Sequence, residues 1–388
     1  MKFFHIADLH IGFPLKSGED NFDYGKVLQF IKEKGEEFGV DLVVIAGDIF
    51  HRRDPDPYLQ TLFAQFVSSV ITDGIEVLIV TGNHDGALFR ERSIHFDVYR
   101  TLHFPHIYIS KRPEVFKIKG VNFITLPYPF KQNILSKEEY REKSEEEVLN
   151  ILNSRLMSII DELLLEVGDG RNVLVGHIPI SEGIIGSEQY INFARDPTLS
   201  LEELDRKDLD YFALGHLHKR QVHKSKKYGH LFVYPGSLDR IDFGEEGDEK
   251  GFYVVEISHE GSINLNFIEN PYARSFYTIY IKDDASFDSI DMEKARHSIT
   301  RIVVQGEIEN EMLLANLVKE LTKTAYAFAG IEDRRVPMFV PRDAVYEFKD
   351  PIKAVREYID KTGDERIKKL KEKIIAIAEE IFLKQDET

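Results

Sequence analysis

Over the first part of the chain, short unbroken apolar runs alternate with stretches whose apolar residues recur every three or four positions. The runs at 2–7, 41–46, 75–81, 121–126, 173–176, 210–215, 231–235, 252–257 and 263–268 read as strands buried on both faces. Between them, Tyr24, Val27, Leu28 and Ile31 make one helical face, and Leu59, Leu62, Phe63, Phe66 and Val70 make another. Ser136 and Glu139 form a capping box ahead of Leu149, Leu152, Leu156, Ile160 and Leu163, which predicts a long amphipathic helix. Strand–helix alternation first and consecutive strands later predict an α/β protein, a layered α/β sandwich over 1–270.

The pattern changes after Asn270-Pro271. Phe276–Ile281 alternates as a strand, Asp288–Ser298 is helical in character and Thr300–Gln305 is β-rich. An amphipathic helix at 311–323 and a returning strand at Val336–Val340 complete a small α+β unit over 271–342. The remainder, 343–388, reads as a helical pair. Asp350-Pro351 opens it, Thr362-Gly363-Asp364 breaks it, and Ile367, Leu370, Ile374, Ile377 and Ile381 lay down a stripe. Such spacing suits a seam for another helix, with packing on its own protein as the alternative.

Composition excludes several classes. The 388 residues contain no apolar run near the roughly 20 that a membrane helix needs. Asp8 and His10 interrupt the apolar N-terminus, so it does not read as a signal peptide. Cysteine is absent, which removes disulfides and thiolate metal sites and suits a reducing cytoplasm. The formal charge is −17 (50 basic minus 67 acidic residues), unfavourable at first sight for a polyanionic substrate. Its distribution reverses that inference. Lys219, Arg220, Lys224, Lys226 and Lys227 follow His218 in a stretch free of acid, Arg52 and Arg53 follow Asp48, and Arg90 and Arg92 follow Asp85. The acid gathers instead in 136–166 and 343–388.

The candidate chemistry lies at the strand ends: Asp8-Leu9-His10, Gly47-Asp48, Gly82-Asn83-His84-Asp85, Gly176-His177 and Gly215-His216-Leu217-His218. These place carboxylate, imidazole and amide donors along one edge of one sheet. Asp8 and His10 alternate and so share a side, where His218 can join them on one ion. Asp48 can bridge to a second ion held by Asn83, His177 and His216. Nitrogen and oxygen donors together suit manganese, iron or zinc better than magnesium. Two such ions flanking a phosphate make a phosphoesterase. His84, held by Asp85, is placed to steady the transition state or protonate the leaving oxygen, and His51 to help place the substrate. His5, His95, His103, His106, His223, His230, His259 and His297 are read as structural.

These motifs, in this order, resemble those of the calcineurin-like metallophosphoesterases over residues 1 to about 270. Gly47-Asp48-Ile49-Phe50-His51, Tyr234-Pro235-Gly236-Ser237, Arg240-Ile241-Asp242-Phe243-Gly244-Glu245 and Lys250-Gly251 narrow the resemblance to the SbcD-type double-strand-break-repair nucleases. The resemblance implies a metallophosphoesterase nuclease domain at 1–270 and a DNA-recognition cap at 271–342, with 343–388 binding an ATPase coiled coil. It implies two Mn2+ ions (Mg2+, Fe2+ or Zn2+ as substitutes) on Asp8, His10, Asp48, Asn83, His177, His216 and His218. His84 takes the transition-state role and His51 positions DNA. The implied activity is 3′-to-5′ trimming of double-stranded ends and endonucleolytic cutting of single strands and hairpins. An SMC-like ABC ATPase is the implied partner, which fits a chain with no G-x-x-x-x-G-K-[ST] loop of its own. A homodimer through the helices at 57–71 and 86–102 is implied too. Two alternatives stay open: a phosphatase or phosphodiesterase of the same fold acting on phosphoproteins or nucleotides, and a binding scaffold.

Overall fold

The computed structural model describes residues 1–14, 22–86, 94–186, 196–258, 260–335, 356, 359 and 370–375, with side chains left aside at 137 and 138. The chain divides into two compact units, Met1–Asp333 and Arg334–Thr388. In the first, one sheet of six strands contains β1 (Lys2–Ile6), β2 (Leu42–Ala46), β3 (Glu76–Val80) and β4 (Ile107–Ser110), all parallel, with β4 at its edge. Helices α1 (Tyr24–Phe38) and α2 (Pro57–Thr72) fill two of the connections, and the short α3 (Asp97–Thr101) precedes β4.

A second six-stranded sheet begins with a hairpin of β5 (Glu114–Ile118) and β6 (Val121–Leu126). After short α4 (Lys131–Ile134) and α5 (Lys137–Tyr140), α6 (Glu145–Glu166) crosses to β7 (Arg171–His177). Then come α7 (Leu201–Leu204), β8 (Tyr211–Gly215), β9 (Gln221–Lys224) and β10 (Leu231–Tyr234), in the sheet order β5-β6-β7-β8-β10-β9. The chain returns to the first sheet as β11 (Gly251–Ile257) and β12 (Ile263–Glu269), antiparallel beside β1.

Neighbouring residues explain why these strands are apolar throughout. Phe3 and Val44 face a core between the two sheets, while Phe4 and Val43 face α1 and α2 outside. Val175 and Tyr211 point to the same inner layer, whereas Leu174 and Phe212 meet α6. A strand covered on both faces has no polar side to show. The stripe Val148, Leu152, Leu156, Ile160 and Leu163 buries one face of α6. Its capping box is Ser144 with Glu147 rather than Ser136 with Glu139, which instead opens the short α5. Both tetrads satisfy the sequence rule, and only the second starts the long helix.

A three-stranded parallel sheet follows: β13 (Ser275–Ile281), β14 (Ser298–Val304) and β15 (Ala327–Asp333). α8 (Met292–Arg296) and α9 (Glu311–Thr324) cover one face through Ala295, Leu314, Leu317 and Leu321. The strand at 327–333 is not among the sequence expectations, because its exposed polar positions hide the period. The expected strand at Val336–Val340 lies outside the described residues, as do the breaks at Asp350-Pro351 and Thr362-Gly363-Asp364. In the second unit, residues 371–375 are helical, and Ile374 N–H donates to Leu370 O at 3.0 Å. Among the described residues no helix is long and apolar enough to cross a membrane.

Candidate metal centre

The ligand motifs leave the carboxyl ends of strands, the usual place for sites in α/β folds, but from two sheets rather than one. Asp8 and His10 follow β1, Asp48 follows β2 and Asn83 follows β3, all in the first sheet. His177 closes β7, and His216 and His218 follow β8, in the second. The expectation of a single sheet edge fails because an apolar run shows that a strand is buried, not which sheet it joins. The hairpin of β5 and β6 is where the second sheet starts.

Local backbone makes the convergence tight. Past β1 the chain still pairs with the β2 side: Asp8 N–H donates to Gly47 O and His10 N–H to Asp48 O, both at 3.0 Å. Asp8, His10 and Asp48 have φ of 51°, 43° and 52°, and His216 has 92°. Side chains rarely adopt that left-handed region, at a cost of order 1–3 kcal/mol each, and it persists where surrounding bonds over-determine it. Gly47 (φ 93°) must lack a Cβ, which would overlap the His177 ring. At Gly82 a Cβ would overlap the Asp48 carboxylate.

All seven expected ligands come together. His177 donates Nδ1–H to Ala46 O at 2.8 Å, which turns its Nε2 toward Asn83 Oδ1 (3.1 Å), Asp48 Oδ2 (3.4 Å) and Asp8 Oδ1 (4.0 Å). His216 Nδ1 lies 3.1 Å from the same Asn83 oxygen. The Asp8 carboxylate accepts the His216 backbone N–H at 3.0 and 3.2 Å. His10 Nε2 is 3.1 Å from His218 Nε2 and 3.8 Å from Asp48 Oδ2. Ligand atoms of Asp8, His10 and His218 fall within 4.8 Å of one another, and so do those of Asp8, Asp48 and His177.

The first 220 residues match the model of the calcineurin-like phosphoesterases. The chain belongs to that family. Its members are metal-dependent phosphoester hydrolases, and this chain is one. Among solved structures it is similar to a dimetal phosphatase from Danio rerio, with 12% identity, 70% of this chain and 99% of that one covered, and a TM-score of 0.38. It is also similar to the protein TT1561 of Thermus thermophilus (11%, 69% and 98%, 0.39). The phosphopantetheinyl hydrolase of Mycobacterium tuberculosis gives 14%, 61% and 89%, and 0.33. At these identities and scores the likenesses decide nothing further.

Whether this phosphoesterase's own residues fit a pair of cations is answered by their electrostatics. Burial raises the pKa of Asp8. Burial pushes Asp48 the same way, yet His177, with His84 and His10, holds it well below the usual carboxylate range. Burial lowers His177, but Asp48, Asp8 and the Ala46 carbonyl together raise it to about 9. Burial, followed by His218, drives His10 well below 6.5. The buried Nδ1 of His10 has no hydrogen-bond partner among the described residues, and its Nε2 faces another imidazole nitrogen. A neutral imidazole at His10 and an ionised carboxylate at Asp48, with the other donors aimed at them, fit divalent cations with mixed N/O ligation, for which His177 must give up its proton.

His84 and His51 stand beside the ligand set. Ring nitrogens of His10, His51 and His84 also fall within 4.8 Å of one another. His84 Nε2 is 4.0 Å from Asp48 Oδ2, and its side chain is 29% exposed, far more open than the ligands. Its Nδ1 reaches the His51 carbonyl at 2.6 Å, so Asp85 does not hold it. Asp85 turns inward and accepts the buried N–H groups of Ile49, Phe50 and Gly82. Burial and the nearby Asp48 raise its pKa to about 7. Burial, then His84, lowers His51 to about 4.

Residues the motifs did not single out complete the surroundings. Asp196 Oδ2 lies 3.2 Å from His216 Nε2, and Tyr128 donates its hydroxyl to the other Asp196 oxygen. Neither stands in a recognisable spacing with the ligands. Arg53 donates to the Asn83 carbonyl at 3.2 Å and lies 5.4 Å from the Phe130 ring centre. Lys219, Lys224, Lys226 and Lys227 are exposed on and around the edge strand β9, whereas Arg220 is engaged by Glu249 and Phe267. Arg90 and Arg92 lie outside the described residues. His5 is structural: it sits between the sheets against Tyr211 Oη (3.0 Å) and Leu214 O (3.1 Å).

Proposed function

We propose that this phosphoesterase is a manganese-dependent DNA nuclease of double-strand-break repair. It trims duplex ends 3′ to 5′, cuts single strands and hairpins, and works with an SMC-like ABC ATPase. The observation that carries the reading is the pair His51 and His84, whose rings stack with centres 5.3 Å apart beside Asp48 and His10. Monoester cleavage needs one group near the leaving oxygen, whereas a polymeric diester also needs its flanking backbone held. The exposed lysines that follow His218 supply charge for that backbone, and the three-stranded unit adds surface beyond the sandwich.

In this reading Asp8, His10, His218 and Asp48 hold one ion, and Asp48, Asn83, His177 and His216 the other. When bound, the pair supplies an activated water and neutralises charge on the phosphate. His84, fixed through Nδ1 by the His51 carbonyl, presents Nε2 to the reacting group and gives a proton to the leaving oxygen. His51 and Arg53 orient the strand. The C-terminal segment 343–388 takes the ATPase coiled coil, the protein acts in the cytoplasm, and α2 with the segment at 86–102 makes a homodimer.

The test is cleavage of an end-labelled hairpin duplex with manganese, magnesium or chelator, beside a phosphopeptide and a p-nitrophenyl phosphodiester. Manganese-dependent DNA products, absent in Asp8→Ala and His177→Ala, support the nuclease. Robust phosphopeptide turnover without DNA cleavage supports a phosphatase instead.

A further inference from the structure

The turn at Phe243–Glu245, with Glu246 after it, faces two ways. Outward, it meets the three-stranded unit. The Phe243 ring lies 4.9 Å from that of Phe276 and 4.4 Å from the Arg301 guanidinium, centre to centre. Glu246 accepts the Thr278 N–H at 3.0 Å and lies 3.7 Å from Lys294 Nζ.

Inward, the same turn reaches the metal centre. Glu245 is fully buried; one oxygen lies 3.1 Å from His218 Nδ1 and the other 2.9 Å from Lys250 Nζ. Lys250, 1% exposed, donates to the His218 carbonyl at 3.0 Å and to Ser237 Oγ at 2.8 Å. His218 is thus fixed at its ring and at its backbone by one ion pair. Burying such a pair adds little stability by itself, since desolvation offsets the attraction. Its consequence here is orientation. With an ionised carboxylate at Nδ1, the proton of His218 stays on that nitrogen and Nε2 keeps its lone pair facing His10.

We infer that Glu245 is a positioning residue for His218, and that its turn ties ion binding to the seating of the three-stranded unit on the sandwich. The inference rests on the reading of His218 as a metal ligand. It reaches further, because three residues of the turn and two separate sheets are joined at one histidine. Among the described contacts Phe243 and Glu246 meet the three-stranded unit and not the ligands, and the turn they share with Glu245 is the short route from them to His218.

The experiment is calorimetric titration of Mn2+ into the chelator-stripped full chain, paired with the visible absorption of the Co2+-loaded form. Glu245→Gln weakens one of two ions by about tenfold and shifts the Co2+ bands. Glu246→Ala and Phe243→Ala, with Glu245, Lys250 and His218 intact, weaken the same ion by a smaller factor. Met312→Ala, on an exposed position of α9, changes neither ion. Wild-type affinities and spectrum in Glu245→Gln overturn the positioning role. Wild-type affinities in both Phe243→Ala and Glu246→Ala overturn the coupling, and these two decide it alone if Glu245→Gln does not fold. A wild-type chain that takes up no ion overturns the ligand reading, and this inference with it.

Discussion

The two sheets bring different chemistry to the same place. From the first come both carboxylates and the amide, Asp8, Asp48 and Asn83, with a single imidazole, His10. From the second come imidazoles alone, His177, His216 and His218. One side carries formal negative charge; the other offers nitrogens that are neutral when they ligate. Neither half is a coordination shell, so the packing of Phe3, Val44 and Leu78 against Val175, Tyr211 and Val233 is what assembles the centre. The core between the sheets is therefore a functional element as much as a structural one.

If that division is right, losing charge on the first sheet is the gravest lesion. Asp48→Ala is expected to lower phosphodiester turnover by about 10³-fold or more, roughly 4 kcal/mol in the barrier. Steady-state kinetics with manganese measures this, and a loss below tenfold would mean Asp48 is not shared. The comparison sharpens at His84, which sits with the first sheet's loops but outside the ligand set. His84→Ala should reduce kcat by about 10²-fold while bound metal per chain is unchanged. Loss of an ion by elemental analysis would move His84 into the ligand set.

Two further effects probe the scaffold. Asp85→Ala removes the acceptor for three buried N–H groups around the first sheet's loops. Denaturant unfolding of the metal-free protein should show a loss of about 2–4 kcal/mol; a change under about 0.5 kcal/mol would contradict the role. His5 reports on the packing between sheets. Burial lowers its pKa from 6.5 to about 3, against a backbone bond to Leu214 that raises it. Between those values the unfolded chain holds the proton and the folded chain does not. Its contribution is complete above pH 6.5 and is lost as pH falls, roughly 2 kcal/mol by pH 5. His5→Phe should flatten that part of the stability profile; an unchanged slope would place the titration elsewhere.

Much of this was legible because ligands follow strands and strands read as apolar runs. Asp8, His10, Asp48, Asn83, His177, His216 and His218 each sit just beyond or at the end of such a run, and the fold brings those ends together. Glycine told more than a turn: Gly47 and Gly82 are small because His177 and Asp48 occupy the space a Cβ would take. What stayed hidden depends on pairing rather than pattern. The apolar stretches of β1 and β7 look alike, so their membership of different sheets could not be read. The edge strand β9 reads as solvated chain because Val222 is its one apolar residue and faces solvent, between Gln221 and the polar pair His223-Lys224. His84 and Asp85 are adjacent in sequence, yet one points to the site and the other to buried amides, a divergence set by the loop backbone. Asp196 and Tyr128 meet His216 only through the tertiary fold.

The most direct test of the central claim is anomalous diffraction at the manganese edge from crystals grown with Mn2+. Two peaks about 3.5–4 Å apart should appear. One should be ligated by Asp8, His10, Asp48 and His218, the other by Asp48, Asn83, His177 and His216. A single peak, or peaks ligated from one sheet only, would contradict a centre assembled between the two.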